Sequence, residues 1–296
     1  MALGLCLFGD RSRETPLRTA VTYQAVVGLV FFCIASFVAG DASAGLLERV
    51  EFQSASRRLV SGALHPGDRI QGYLAKPEGA GPFPTVVALH GCAGMFETTK
   101  RTLADDFVGW GYAVLLPDSF GTRGIDHICT ANLDNALRRI ADAYGALAFL
   151  ADQTFVDPHR MAVVGFSQGG WVSLSVADND YLRKLFVLAS NLNFRAAVAF
   201  YPPCRTVAAH PGIPTLIFIG AVDDWTRAAD CSDKIAGWGS DGPPIELVVY
   251  PGTYHAFYYQ DLLPGRTMFG HWLEYNGAAA DNARMRMRQF LDRHLK

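Results

Sequence analysis

Short apolar runs alternate with longer stretches of helical period along most of the chain. Residues 69–76 alternate apolar and polar side chains and stop at Pro77, which predicts an early strand. Residues 84–89 (PTVVAL) form a β-branched run suited to a buried parallel strand. Further strands are predicted at 112–116 (closed by Pro117 and Asp118), 160–165, 196–201, 215–219 and 245–250. Helices are predicted at 98–109, at 133–150, where apolar positions recur at three and four, at 171–177, and at 278–295, an amphipathic end to the chain. Helical material also separates the last two strands. Strand and helix in this rhythm predict an α/β fold, with a mostly parallel sheet covered by helices on both faces. No linker rich in proline, glycine or serine interrupts residues 50–296, so residues 45–296 are read as a single domain.

The first 44 residues follow another pattern. Arg11, Arg13 and Arg18 precede an apolar run at 25–39, and Ala42-Ser43-Ala44 supplies small residues at both cleavage-defining positions. That order is the order of a signal peptide, so an exported protein, periplasmic or extracellular, is expected. The alternative is an uncleaved membrane anchor over residues 20–40, diluted by Thr22, Tyr23 and Gln24. A membrane partner is expected only in that case.

Half of the 296 residues are hydrophobic and 18% are charged, which excludes a disordered chain. The formal net charge of -2 and the lack of a basic run exclude nucleic acid as an expected partner. A monomer is expected. Beyond the leader the cysteines are Cys92, Cys129, Cys204 and Cys231. None has the C-x-x-C spacing of a zinc site, so no metal and no cofactor is expected. An even number in an oxidising compartment allows two disulfides in three connectivities, or four free thiols. Cys204 and Cys231 follow successive strands whose ends should lie side by side, which favours a Cys204–Cys231 bridge. Cys92 and Cys129 then pair by elimination.

The chemistry is expected at the strand ends, where open α/β sheets hold their ligands. Gly165-Phe166-Ser167-Gln168-Gly169 matches G-x-S-x-G between a predicted strand and a predicted helix, the setting of a nucleophile elbow. A glycine-rich loop with an ordinary serine is the plainer reading. A serine nucleophile needs a base and an orienting acid, in the chain order Ser, Asp, His. Asp223 and Asp224 follow the strand at 215–219, and His255 follows the strand at 245–250. His255 would take the Ser167 proton, and Asp223, rather than its neighbour Asp224, would orient the imidazole. Two backbone N–H groups would hold the oxyanion. One is that of Gln168, directly after the serine. The other is that of Cys92, in the His90-Gly91-Cys92-Ala93-Gly94 loop after the strand at 84–89, where His90 is read as a brace.

The segments ALHGCAGM, LLPDSFGTRG, VVGFSQGGW, FYPPC, FIGAVDDWTRAADC and YPGTYHAFYY, spread over residues 88–259, resemble the dienelactone hydrolase family of the α/β-hydrolase fold. The resemblance implies hydrolysis of a small-molecule ester or lactone, with Ser167, Asp223 and His255 on the family's triad positions. Two departures stand out. The enzymes that named the family use a cysteine nucleophile, where this chain has Ser167. They also bind a substrate carboxylate with two arginines. Arg123 lies about one residue from the first of these positions, and Tyr259 stands at the second. A serine hydrolase of small carboxylic esters or lactones, working through an acyl-enzyme, is therefore expected. The alternatives are a catalytically silent scaffold that binds a ligand, and a serine peptidase. Arg123 is a candidate for binding an anionic substrate group, or else a structural arginine. Trp171 and Trp225 are candidates for the pocket lining or for plain core.

Overall fold

The predicted sheet is present in the computed structural model, which describes residues 46–130, 133–178, 182–189 and 192–296. The leader read at residues 1–44 lies outside them, as does the alternative anchor. The sheet strands are β1 (Glu48–Gln53), β2 (Arg69–Ala75), β3 (Phe83–Leu89), β4 (Ala113–Asp118), β5 (Val156–Phe166), β6 (Ala196–Phe200), β7 (Thr215–Gly220) and β8 (Ile245–Tyr250). They pair in the order β1-β2-β4-β3-β5-β6-β7-β8. From β4 to β8 every junction is parallel, and only β1–β2 and β2–β4 are antiparallel.

The strands are apolar because both of their faces are buried. Val86, Ala88, Val114, Leu116, Ala162 and Val164 point into one core, and Val87, Leu115, Met161 and Val163 into the other. The first core is closed by helices α1 (Glu97–Gly109) and the carboxyl-terminal α5 (Gly277–Leu295). The second is closed by α2 (Leu133–Ala151). Helix α3 (Gln168–Val176) sends Leu174 to one core and Val172 and Val176 to the other. Helix α4 (Ala228–Trp238) lies between β7 and β8 in the chain.

Two differences from the sequence reading have physical causes. Strand β1 was not expected, because it is an edge strand in which Phe52 alone is fully buried, so it carries no apolar run. Strand β4 continues through Pro117 and Asp118 instead of ending before them. There it pairs with β2 (Gly72↔Pro117, Gln71↔Asp118), while its pairing with β3 stops at Leu115. Pro117 thus sits where the ladder has thinned to one neighbour and a missing N–H is tolerated. A last hairpin, β9 (Arg266–Met268) with β10 (His271–Leu273), stands apart from the main sheet. No helix among the described residues is long and apolar enough to cross a membrane.

Candidate active site

Ser167 occupies the turn between β5 and α3, with φ 53° and ψ -117°. A non-glycine residue rarely adopts a positive φ, and the surroundings hold it there. The Ser167 N–H donates to the Phe200 carbonyl across the sheet at 2.8 Å. The two glycines of the motif make room for the turn. A Cβ on Gly165 would lie 2.0 Å from the Gly169 carbonyl oxygen, and one on Gly169 2.4 Å from that of Leu89.

His255 and Asp223 sit in the loops that follow β8 and β7. The Ser167 Oγ is 3.0 Å from His255 Nε2, and His255 Nδ1 is 2.8 Å from Asp223 Oδ2. Both His255 and Asp223 are buried, at 2% and 4% exposure, so the pair is shielded from bulk water. Asp223 Oδ1 accepts from the backbone N–H groups of Trp225 and Thr226 at 2.9 and 2.8 Å. Its Oδ2 accepts from the Thr226 hydroxyl at 2.9 Å as well as from the imidazole. A carboxylate placed in this way favours the tautomer with the proton on Nδ1 and a lone pair on Nε2, the nitrogen that faces Ser167 Oγ. Thr226 is a site residue that the motifs did not mark. Its signal was its spacing, three residues after an aspartate in a turn, where a hydroxyl can return to the carboxylate. The imidazole packs against Tyr201 and Trp225, with ring centroids 4.7 and 5.1 Å away.

The loop after β3 is braced from beneath. His90 Nδ1 donates to the Gly91 carbonyl at 2.7 Å, and its Nε2 accepts from the Ser119 N–H at 3.3 Å. Burial, reinforced by the nearby Arg139 charge, holds the His90 pKa well below the usual histidine range, so the ring is neutral. Arg139, from α2, is itself buried at 2% exposure. It donates to the His90 carbonyl at 2.6 Å and to Gln168 Oε1, and its guanidinium lies 5.4 Å from the Phe120 ring. Desolvation lowers its pKa to about 10. One arginine therefore joins the two segments that carry the Cys92 and Gln168 amides. Nothing in the local sequence distinguishes it from Arg138, which is half exposed.

Cys92 is bonded to Cys129, and the Ile128 N–H donates to the Cys92 carbonyl at 2.8 Å, so this loop is tied to the segment after β4. Cys204, just past β6, is bonded to Cys231 of α4, with Cα atoms 4.9 Å apart.

Of the two readings of Arg123, its contacts are those of a structural arginine. Its guanidinium chelates Asp142 through two nitrogens at 2.7 and 2.8 Å, bonds Asp68 through Nε and a terminal nitrogen, and donates to the Ser119 carbonyl. These contacts hold the guanidinium against protein groups through all three nitrogens, and its side chain is 7% exposed. Asp118, five residues before Arg123, accepts instead from the N–H groups of Phe120 and Gly121. Trp225 lines the cleft over Ser167, whereas Trp171 packs between the two cores.

The cleft is bounded by Ser167, His255, Tyr201, Trp225, the loop 91–94 and hairpin β9–β10. A hydroxyl, an imidazole and a carboxylate joined in this order are equipped for nucleophilic attack on a carbonyl.

A family model for the dienelactone hydrolase family matches residues 70–295. The chain belongs to the dienelactone hydrolase family. Members of this family hydrolyse esters or lactones, and this protein is such a hydrolase. A Methylorubrum extorquens protein provisionally named a carboxymethylenebutenolidase is 26% identical over 203 residues, which cover 64% of this chain and 68% of that protein. Among solved structures, a dienelactone hydrolase-like promiscuous phosphotriesterase, P91, from metagenomic libraries superposes with a TM-score of 0.58 at 19% identity, over 84% of this chain and 99% of that one. The Pyrococcus furiosus esterase Pf2001 superposes with a TM-score of 0.59 at 15% identity, over 86% and 94%. At these identities the two structures speak for the shared α/β-hydrolase fold.

Proposed function

We propose that this member of the family is a serine hydrolase of small carboxylic esters or lactones, with Ser167 as nucleophile, His255 as general base and acid, and Asp223 as the orienting acid. The observation that carries the reading is the unbroken chain Ser167 Oγ–His255 Nε2–Asp223 at 3.0 and 2.8 Å, opening onto a cleft. Ser167 Oγ attacks the ester carbonyl carbon as its proton passes to His255 Nε2. The oxyanion accepts hydrogen bonds from the N–H groups of Cys92 and Gln168; the latter begins α3, where the helix leaves its first amides without intrahelical partners. His255 then returns the proton to the departing alkoxide, which leaves as the alcohol. Water attacks the acyl-Ser167 with His255 as base, and the acid is released with the serine restored.

The protein works in an oxidising compartment, reached by export on residues 1–44. The A-x-A pattern after the apolar run supports this reading, and so do the two disulfides.

Labelling with a fluorophosphonate tests the assignment directly. The wild-type protein should be modified once, on Ser167, and lose p-nitrophenyl acetate hydrolysis in proportion. Ser167→Ala should fold, resist the label, and lose about four to six orders of magnitude in turnover. A variant that keeps a tenth of wild-type activity would remove Ser167 from the mechanism. A wild-type protein that neither labels nor hydrolyses would be a silent scaffold.

A further inference from the structure

Hairpin β9–β10 is the part of the cleft that lies outside the main sheet. Its strands pair Arg266↔Leu273 and Met268↔His271, so Phe269 and Gly270 make a two-residue turn. Both have positive φ, 53° and 86°. That turn suits asparagine or glycine at its first position, and a bulky aromatic there is strained. The side chain is 43% exposed, yet it borders the cleft. Phe269 lines the cleft, with its ring 5.9 Å from Trp225 and 4.9 Å from His127. Strain kept where a side chain meets a ligand cleft is a mark of function.

The hairpin is also fastened to the proposed base. Leu273 bridges to His255 in the backbone, and the Glu274 N–H donates to the His255 carbonyl at 3.3 Å. His271 stacks on Trp225 with centroids 4.8 Å apart and planes 13° from parallel. The apolar wall made by Met268, Phe269 and Leu273 is thereby held at a set position beside the imidazole.

The rest of the cleft offers little to an anion. Asp261 is acidic and accepts from the Thr98 hydroxyl. Arg266 is exposed at the mouth. Arg123 is consumed by Asp142 and Asp68, and Arg139 is buried behind the loop by His90 and Gln168. Tyr259 brings a phenol that burial keeps protonated. A substrate carboxylate held deeper than Arg266, beside Ser167 and the apolar wall, would lose its water without gaining a charged partner, which is costly.

Resting on the serine-hydrolase reading, we infer that the hairpin is the specificity element and that the cleft selects esters whose groups on both sides of the reacting carbonyl are uncharged and apolar, with Phe269 as the residue that receives them. Isosteric pairs test this. On the acyl side, p-nitrophenyl 4-methylpentanoate is compared with p-nitrophenyl hemisuccinate, in which a carboxylate replaces the terminal isopropyl group. On the alcohol side, 3-methylbutyl acetate is compared with 3-acetoxypropanoate. The full-length protein should favour the neutral member of each pair by at least about tenfold in kcat/KM. Phe269→Ala should reduce the preference for 4-methylpentanoate over acetate by about tenfold, and Phe269→Leu should restore part of it. Turnover of either anionic ester at or above its neutral isostere overturns the inference while leaving the nucleophile assignment intact, and so does an unchanged chain-length preference in a folded Phe269→Ala. Loss of that anionic turnover in Arg266→Gln would identify Arg266 as the anion site instead. Absence of turnover on all four esters, together with no labelling of Ser167, would overturn the serine-hydrolase reading and this inference with it.

Discussion

Asp223 and Asp224 are neighbours in the chain with different partners: Asp223 Oδ2 lies 2.8 Å from His255 Nδ1, and Asp224 Oδ1 lies 3.5 Å from His271 Nδ1 on the hairpin. Asp223 is buried with four hydrogen bonds, whereas the Asp224 side chain is half exposed. Asp223→Asn should lower turnover by about four orders of magnitude with little loss of stability, because the amide presents an N–H to Nδ1 and favours the wrong tautomer. Asp224→Asn should cost less than about threefold, as a half-exposed polar contact at 3.5 Å contributes little. Steady-state kinetics of the two variants, beside their melting curves, check the ranking. The reverse order would move the acid to Asp224.

The elbow should tolerate no side chain at its second glycine. A Cβ on Gly169 would sit 2.4 and 2.5 Å from the carbonyl oxygens of Leu89 and His90, both of them backbone atoms. Gly169→Ala should therefore destabilise the fold by about 3 kcal/mol or more and displace the serine. Gly109, at the end of α1, has open space around its Cα. Gly109→Ala should instead stabilise by about 0.4–1 kcal/mol through the unfolded chain. Urea denaturation of both variants measures the contrast.

His90 should make the fold sensitive to mild acid. Its folded pKa lies well below the usual value of 6.5, so below about pH 6.5 the unfolded chain binds a proton that the folded protein refuses. Stability from this group is complete above pH 6.5 and is lost as the pH falls towards the folded pKa, at up to about 1.4 kcal/mol per pH unit. His90→Gln keeps an acceptor for the Ser119 N–H and does not titrate. Its stability should fall less steeply than that of the wild type between pH 6.5 and 5. Equal slopes in chemical denaturation across that range would assign the acid sensitivity to other groups.

The two disulfides should separate by function. The Cys204–Cys231 bridge ties a loop to α4, and its removal as a double serine variant should cost about 2–4 kcal/mol of stability with activity at 25 °C within about threefold. Removal of Cys92–Cys129 should cost a similar stability and also lower kcat by about tenfold, because it frees the loop that carries the Cys92 amide. Denaturation midpoints and kcat for the two double variants decide between them. Equal kcat in both would separate the bridge from the chemistry.

Much of this protein was legible along the chain because its signals are local. A strand buried on both faces must be apolar throughout, so β3 to β7 announced themselves, whereas edge strand β1, with only Phe52 fully buried, did not. The elbow was legible because the turn itself demands glycine at 165 and 169, and the order Ser167, Asp223, His255 follows from loops at the ends of β5, β7 and β8. Partner choice is a different kind of property. The chain favoured Asp223 over Asp224 without fixing which faces the imidazole, and it does not say that Arg123 spends its donors on Asp142 and Asp68. Nor does it say that Arg139 rather than Arg138 is buried behind the loop at His90, or that the aromatic turn Phe269-Gly270 folds over the cleft. Those outcomes depend on contacts between segments tens to over a hundred residues apart, and hydrogen bonding, burial and ring stacking act on distance in space, which packing alone sets.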